Sequence, residues 1–494
     1  MTVVITGRDL TLEEVVRVAR RKESVRLAPE AREHMRATRA VAEHALQRGD
    51  SVYGLSTAVG VLKRVAVGGP EAAAYARRLI RHHLVGQGTP APDDVVRGTM
   101  LRLANGFGEA SPGVRPELAE RMVAALNDDL RPTVRILGSV GQADLAQMAD
   151  LAAAVFDGFD RAAGEGLALV SSNAFSTART ALAVADAAAL LDAMEAAGAL
   201  SLEALAANPS MLHPAIGEVR PYPGLQRSLA NLRDLLEGSF LWPGAAARSL
   251  QDPLTFRNLP QVQGACRDAL EHVESLLAIE LNASQGNPIV VADEDRVVSV
   301  ANYEILPLAA GADYLRIVLA TALTTAAERV VKLLETPWSG LPTGLAPASG
   351  EGEGTGADAG TNAGSTEAGL SYLGIAVQSL AAEARLLAAP VSFELASTSH
   401  AEGIEDRTTM APLAARRLAD MVGLGQRIVA VEMVVAAQAA ELRGHSPHGR
   451  GTAAALAAVR KVVPSLEPGG EVPDVEPLVA VLQSDGIGRL PGRQ

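Results

Sequence analysis

Apolar residues recur at helical spacing along the C-terminal two thirds of the chain, and this periodicity constrains the fold more than any other feature of the sequence. The clearest series extends over about three heptads in steps of three or four residues and a last step of seven: Met421, Leu424, Ile428, Val431, Val435 and Leu442. Shorter series of the same kind are Leu270, Val273 and Leu277, then Leu315, Leu319 and Leu323, then Leu373, Val377, Leu380, Ala384 and Leu387. Such stripes usually face other helices. The pattern predicts a bundle of long helices.

The composition points the same way. Hydrophobic residues make up 48% of the 494 residues but aromatic ones only 3%, so alanine, leucine and valine must fill the core. Long, closely packed helices suit these side chains better than a sandwich or a barrel does. We therefore expect a mainly α fold. A Gly-rich loop over residues 339–370 is either a lid or a plain insertion.

The charge balance narrows the class of partner. Lysine and arginine total 44 against 57 acidic residues, a net charge of −13, which argues against nucleic acid or an anionic membrane. Residues Met1 to Leu10 lack the basic and apolar pattern of a secretory signal, and no run of about 20 apolar residues follows. We expect a cytoplasmic protein that binds a small molecule.

Metal and cofactor motifs are absent from the sequence. The single cysteine, Cys266, permits neither an internal disulfide nor a cysteine-rich zinc site. His445 and His448 share a loop that has no carboxylate or thiolate beside them, and no glycine fingerprint follows a strand. We expect no metal and no cofactor.

Polar residues in segments bounded by glycine or proline are the candidates for chemistry. They are Tyr53, Asp144, Gln251-Asp252-Pro253, Arg257, Asn282, Asn302-Tyr303 and Glu405-Asp406-Arg407. Asp144 follows a glycine-rich turn and precedes an apolar helical run, so we predict that it caps this helix, with Gln147 completing a capping box. Taken singly, such residues more often satisfy the backbone than act on a ligand.

The order and spacing of these segments resemble the aromatic amino acid lyase family over nearly the whole chain. The Tyr53 block is similar to the family's catalytic-tyrosine loop, the Arg257 block to its substrate-carboxylate segment and the Glu405 block to its late acidic motif. The matching blocks are Tyr53-Gly54-x-x-Thr57-x-x-Gly60, His83-x-x-Gly86, Glu165-Gly166-Leu167-Ala168-Leu169, Gln251-Asp252-Pro253 with Arg257, Asn302-Tyr303 and Glu405-Asp406.

One block departs from the family at its centre. Where the histidine and phenylalanine ammonia-lyases read Gly-Ser-Val-Gly-Ala-Ser-Gly-Asp-Leu-Ala, this chain reads Gly138-Ser139-Val140-Gly141-Gln142-Ala143-Asp144-Leu145-Ala146. In those lyases the inner Ala-Ser-Gly cyclises into the electrophilic methylidene-imidazolone group. Gln142 and Ala143 stand in its place, one residue short, so this chain cannot build the group.

Four further departures fall around the same site. Ser171 stands where the family usually has a pocket asparagine, and Leu254 where it has a second active-site tyrosine. Ile404 stands where the family has a glutamine, and Tyr303 where phenylalanine is usual. The binding shell is therefore rebuilt along with the missing electrophile.

The resemblance implies a fumarase/aspartase-like helical bundle, with a mixed N-terminal region over residues 1–190 and a long-helix bundle over residues 191–494. It also implies a homotetramer whose active sites combine residues from more than one subunit. It implies that Tyr53 is the general base, with a pKa lowered toward neutrality by Lys63, Arg257 or a protonated His83. Arg257 would also clamp the substrate carboxylate, and Glu405 would bind a cation or an imidazole ring. The remaining binding residues that it implies are Ser171, Gln251, Asn302 and Tyr303.

These expectations favour a lyase that works without the electrophile. Eliminating an amine needs a base for the β-proton and help for a poor leaving group, which the electrophile gives in the related lyases. A quaternary ammonium is already activated, because it cannot be deprotonated and departs as a neutral amine. The chain thus resembles ergothionase-type enzymes, and we predict release of trimethylamine from an amino-acid betaine to give a 2-enoate. Two alternatives stay open: another lyase, isomerase or cyclase of secondary metabolism, and a catalytically dead homologue that binds a ligand.

The first testable prediction concerns the mass of the intact protein. Formation of methylidene-imidazolone expels water, so a chain that cannot form the group keeps the full mass of its sequence. We expect intact mass spectrometry to return that mass with no loss of water. A protein lighter by whole water molecules would mean that an electrophile forms here by another route.

Overall fold

The computed structural model describes residues 2–68, 71–243, 247–347, 367–393 and 405–484. Helices dominate these ranges, so the prediction of a mainly α fold is confirmed. The chain forms two compact units. The first consists of Met1–Ala185, His272–Asp313 and Pro390–Ala419, and the second of Asp186–Glu271, Tyr314–Ala389 and Asp420–Gln494. The division of the sequence at residue 190 stays a prediction.

The described strands all belong to the first unit and pair two by two. Strands β1 and β2 are parallel, whereas β3 with β4 and β5 with β6 are antiparallel. The parallel pair runs in register from Thr2 opposite Ser24 to Ile5 opposite Leu27. The strands are β1 (Thr2–Ile5), β2 (Ser24–Leu27), β3 (Gln87–Pro90), β4 (Arg135–Leu137), β5 (Ile289–Val291) and β6 (Arg296–Val298).

The helices follow the apolar stripes of the sequence. The early helices are α1 (Leu12–Arg21), α2 (Pro29–Arg48), α3 (Glu71–His82), α4 (Asp93–Gly108), α5 (Pro116–Asn127), α6 (Leu145–Val155) and α7 (Glu165–Val170). The later ones are α8 (Ala174–Leu205), α9 (Ala215–Val219), α10 (Pro223–Leu235), α11 (Leu254–Arg257), α12 (Leu259–Glu280), α13 (Leu306–Leu334), α14 (Thr336–Ser339), α15 (Ser371–Leu387), α16 (Ala411–Arg443), α17 (Arg450–Val462) and α18 (Glu476–Ser484). Among these described helices, none is both long and apolar enough to cross a bilayer.

The predicted stripe from Met421 to Leu442 lies on α16, and its members Met421, Ile428, Val431 and Val435 are buried. Much of the predicted Gly-rich loop, residues 348–366, lies outside the described residues, as does Ile404. In the first unit, α4 is buried from Val95 to Gly108 and packs against α1 and α5, while α3 packs against α6 and α7. This last group of helices positions the candidate site.

An ion pair is buried in the core of the second unit. The guanidinium of Arg329 binds both oxygens of Glu432 at 2.6 and 2.9 Å, and neither side chain is exposed. The hydroxyl of Ser201 donates to the same carboxylate at 2.8 Å, and Arg329 donates to the Thr255 carbonyl at 3.2 Å. Because these hydrogen bonds replace the lost water, removing one partner leaves an uncompensated buried charge.

We therefore expect Glu432→Ala to lower the free energy of unfolding by about 3–5 kcal/mol. Glu476→Ala is the matched control, since Glu476 binds Arg427 through both oxygens at 2.8 and 3.1 Å with side chains 53% and 40% exposed. Exposed pairs contribute about 0–1 kcal/mol. Urea unfolding of both variants checks the difference, and equal losses would contradict the assignment of a stabilising buried pair.

Candidate active site

The loop that carries Tyr53, residues 51–60, is folded back on itself by its own backbone. The Val52 carbonyl accepts three N–H groups at 3.1, 3.0 and 3.1 Å, from Leu55, Ser56 and Thr57. Tyr53 is half-buried, and its hydroxyl oxygen accepts the Gly60 N–H at 3.0 Å. The loop thus brings a phenol and a backbone donor to that phenol into contact.

Burial raises the pKa of the Tyr53 phenol above its ordinary value of 10. The Gly60 N–H acts in the opposite direction, because a donor to the phenol oxygen stabilises the phenolate. The Glu405 carboxylate and the phenols of Tyr303 and Tyr75 raise the pKa further. In the chain by itself, Tyr53 is therefore protonated at neutral pH.

This direction contradicts the sequence-based expectation of a lowered Tyr53 pKa. The expectation required a cation of the chain beside the phenol. In the described chain the charged group that shifts the Tyr53 pKa is a carboxylate, and burial is the larger cause. The expectation is therefore wrong for the chain by itself.

Tyr53 lines a cavity of about 260 Å³, which we call the tyrosine cavity. Five other predicted site residues line it as well: His83, Gln142, Ser171, Tyr303 and Glu405. The residues of its described wall also include Glu304, Asp406 and Arg407, and the guanidinium of Arg407 pairs with Glu304 at 3.3 Å. With Glu405, three acidic residues and one arginine give this wall a net negative charge.

Glu405 acts on both phenols of the tyrosine cavity. Burial is the largest cause of the raised pKa of Tyr303, and the carboxylates of Glu405 and Glu304 add to it. Glu405 also raises the pKa of Tyr53, and all three residues line the tyrosine cavity. A carboxylate beside aromatic faces is an arrangement that attracts cations.

A larger cavity of about 620 Å³ adjoins the tyrosine cavity, since Val59, His83, Gln142, Leu145 and Glu405 line both. The chain around and after the end of the tyrosine loop supplies most of its aliphatic wall, whereas α3 contributes mainly polar and charged residues, among them Glu71, Arg78 and His82. Together the two spaces have room for a substrate with a side chain beyond its ammonium and carboxylate groups.

His83 lines both cavities, and one of its ring nitrogens forms a hydrogen bond with the backbone. Its Nδ1 lies 2.8 Å from the Leu79 carbonyl oxygen, which can only accept a hydrogen bond. Nδ1 therefore carries the proton, and in the neutral imidazole Nε2 is the acceptor.

Residues 138–143 replace the prosthetic-group segment of the related lyases. Hydrogen bonds hold them to two other parts of the chain. The Gly141 carbonyl accepts the Thr409 hydroxyl at 2.9 Å and the Asn173 side-chain amide at 3.3 Å. The Val140 carbonyl accepts the Met410 N–H at 2.9 Å. Gly141 has a φ of +93° and lies against Thr409, so a side chain there would meet both strain and a collision.

Asp144 caps a different helix from the one that the sequence predicts. It occupies the position before α6, but its buried carboxylate accepts the N–H and the hydroxyl of Ser176 at 2.7 Å each, in the first turn of α8. The predicted capping box is therefore wrong. The side chain of Gln147 is fully buried, and neither its amide nitrogen nor its oxygen has a hydrogen-bond partner in the described chain.

The residues of this segment do not fit a methylidene-imidazolone group. That group takes its exocyclic carbon from a serine side chain and closes its ring through the nitrogen of the next glycine. Here Gly141 is followed by Gln142, Ala143 and the buried, hydrogen-bonded Asp144.

The remaining predicted residues lie elsewhere. Lys63 and Asn302 do not line the tyrosine cavity, and Asn302 is exposed beside Tyr303. Gln251 and Arg257 belong to the second unit, where the Arg257 guanidinium donates to the Gln251 amide oxygen. Across the ranges that the structure covers, no three His, Cys, Asp or Glu side chains come together as a metal site requires.

The sequence reasoning missed Tyr75, whose hydroxyl accepts the Val59 N–H at 2.8 Å and which lines the larger cavity. The one available signal is a single phenol among the alanines at the start of α3. An aromatic side chain on a helix more often reports core packing than a site.

Comparison with known proteins places the chain in a family. A family model described as Aromatic amino acid lyase matches residues 10–162 and 156–461. Histidine ammonia-lyase from Symbiobacterium thermophilum is 34% identical over 511 aligned residues, which cover 98% of this chain and 97% of that protein. Histidine ammonia-lyase from Alkaliphilus metalliredigens is 31% identical, covering 94% and 93%.

Solved structures show the same relationship. Ergothionase from Treponema denticola, an ergothioneine-degrading enzyme solved with desmethyl-ergothioneine sulfonic acid, superimposes with a TM-score of 0.89 at 27% identity over 98% of this chain and 99% of that one. Histidine ammonia-lyase from Trypanosoma cruzi gives a TM-score of 0.87 at 25% identity, covering 99% and 94%. The helical lyase fold implied by the sequence is confirmed. The chain belongs to the aromatic amino acid lyase family and is a carbon–nitrogen lyase.

Asp144 generates a prediction about the pH dependence of stability. Burial outweighs the hydrogen bonds from the first turn of α8 and raises the pKa of this carboxyl to about 6. The folded protein then binds a proton that the unfolded chain has already released, so ionisation of Asp144 opposes folding. Relative to Asp144→Asn, we expect the wild-type free energy of unfolding to fall by about 2 kcal/mol as pH rises from about 4.5 to about 7.

Urea unfolding of both proteins across this pH range measures the difference, in which the other titrating groups cancel. A difference that does not change with pH would show that Asp144 is ionised throughout.

Proposed function

We propose that this carbon–nitrogen lyase works without a prosthetic group and eliminates a tertiary amine, such as trimethylamine, from an amino-acid betaine. In the proposed step a base removes a β-proton, the Cα–Cβ double bond forms and the Cα–N bond breaks. The electron pair of the Cα–N bond leaves with the nitrogen, which departs as a neutral amine. The products are a 2-enoate, the amine and a proton that remains on the base.

One observation carries the choice of a cationic substrate: Glu405 lines the same cavity as the phenols of Tyr53 and Tyr303, and its carboxylate raises the pKa of both. A trimethylammonium group has no N–H to donate, so a protein recognises it through negative charge and aromatic faces. The anionic wall of the tyrosine cavity supplies both. Glu405 is therefore the cation-binding residue of this proposal.

The substrate itself supplies the cation that activates the base. A positive charge within about 4–6 Å of a phenol favours the phenolate. The ammonium of a bound betaine thus opposes the effect of Glu405 and lowers the pKa of Tyr53, while the Gly60 N–H stabilises the phenolate. A phenolate of high pKa is also a strong base for a weakly acidic β-proton.

The other residues have binding roles in this proposal. Arg257, held by Gln251, forms a bidentate pair with the substrate carboxylate and so fixes which proton faces Tyr53. His83 and Ser171 contact the side chain of the substrate from the wall of the tyrosine cavity. Gln142 lines this cavity too, while Lys63 and Asn302 act from outside its wall. A homotetramer with shared active sites belongs to the same proposal.

The relatives support two parts of the proposal. The ergothionase named above degrades ergothioneine and has the same fold, which favours a betaine with an imidazole side chain. The histidine ammonia-lyases share about a third of the sequence, which also favours a histidine-like side chain.

The test is turnover of a histidine betaine by the purified protein. We expect trimethylamine and the ultraviolet absorbance of a conjugated acrylate from the betaine, and no product from histidine. Tyr53→Phe is expected to lower kcat by at least about 100-fold without changing the melting temperature, because the ring remains and the base is lost. Tyr372→Phe is the matched control, since this tyrosine is 66% exposed.

Two outcomes would contradict the proposal. Product from histidine but not from its betaine would mean that the leaving group is activated in another way. Binding of the betaine without turnover, with Tyr53→Phe melting like the wild type, would instead identify a ligand-binding homologue.

A further inference from the structure

We propose that Tyr75 is a positioning residue for Tyr53, acting through the backbone turn at Val59 and Gly60. This inference rests on the proposed role of Tyr53 as the general base. Tyr75 lines the larger cavity, and the role proposed for its hydroxyl is to hold the turn that donates to the base.

The geometry consists of two phenols that bind two consecutive N–H groups. The Tyr75 hydroxyl, on α3, accepts the Val59 N–H at 2.8 Å. The Tyr53 hydroxyl, in the tyrosine loop, accepts the next N–H, that of Gly60, at 3.0 Å. Because peptide units are planar, only the two dihedral angles of Val59 separate these donors. Fixing the Val59 N–H therefore restricts the direction of the Gly60 N–H.

The chain after this turn has little packing of its own. Val61, Leu62 and Val65 are 46%, 50% and 52% exposed. By contrast, α3 packs closely on α7, since a side chain at Gly166 would collide with Ala76, the neighbour of Tyr75. The hydrogen bond from Val59 to Tyr75 thus ties a weakly packed segment to a firmly packed helix.

The hydrogen bond from Val59 to Tyr75 affects the chemistry of Tyr53. The Gly60 N–H stabilises the Tyr53 phenolate, whereas burial and Glu405 favour the neutral phenol. If the turn at Val59 and Gly60 changes orientation, the hydrogen bond from the Gly60 N–H to the Tyr53 oxygen weakens. In the proposed function this oxygen accepts the β-proton. Loss of the Tyr75 hydroxyl should therefore lower the rate of the chemical step and leave substrate binding intact.

Hydrogen exchange at single-amide resolution tests the positioning without any need for turnover. In Tyr75→Phe we expect faster exchange at Val59, which has lost its acceptor, and also at Gly60, whose own acceptor is unchanged. Tyr372→Phe, the same change at an exposed site, is expected to leave both amides as in the wild type. Unchanged exchange at Gly60 in Tyr75→Phe would overturn the coupling between the two tyrosines.

The kinetic test uses the betaine turnover of the wild-type protein. Tyr75→Phe should lower kcat by about 10- to 100-fold with an unchanged KM, and Tyr372→Phe should change neither. Faster exchange at Gly60 with an unchanged kcat would overturn the functional role. If the wild type turns over no betaine, the proposed function fails, while the exchange experiment still decides whether Tyr75 positions the turn.

Discussion

The rest of the site depends on one buried contact, the carboxylate of Asp144 at the first turn of α8. Its two hydrogen bonds from Ser176, with the favourable end of the helix dipole, offset part of the cost of burying an acid. The Asp144 N–H also donates to the Ser172 carbonyl at 2.9 Å. The Gly141 carbonyl in turn accepts hydrogen bonds from Thr409 and Asn173. Together these contacts hold residues 138–143 between the chain around Ser171 and the chain after Glu405. The wall of the tyrosine cavity follows from this arrangement.

That wall determines which chemistry the site can perform. The segment holds a glutamine and an alanine where related lyases build an electrophile, and in the proposed reaction help for the leaving group comes from the substrate. The same wall places Glu405 near two phenols and so favours a cation. In the proposed reaction a substrate with a permanent positive charge meets both requirements, because its charge lowers the pKa of Tyr53 and its nitrogen leaves as a neutral amine. Under this proposal, substrate recognition, activation of the base and departure of the amine depend on one charge.

The sequence predicted what depends on residue type and periodicity, and it failed where distant segments meet. The stripe from Met421 to Leu442 indicated a long helix because packing alone imposes its spacing, and the lost serine and glycine are visible without a structure. The partner of Asp144 was not predictable, since a capping aspartate has the same local pattern whichever helix it caps. The direction of the Tyr53 pKa depends on burial and on Glu405, far along the chain. Tyr75 has no local pattern at all, because its partner is a backbone N–H in another segment.

The most direct measurement of the central claim is a crystal structure of the assembled Tyr53→Phe protein with an intact histidine betaine bound. The account predicts one molecule whose trimethylammonium lies against Glu405 and Tyr303, whose β-carbon faces the ring at position 53 and whose carboxylate is held by Arg257. A betaine bound with its ammonium away from Glu405 would contradict the account. So would an Arg257 that cannot reach the molecule in contact with position 53.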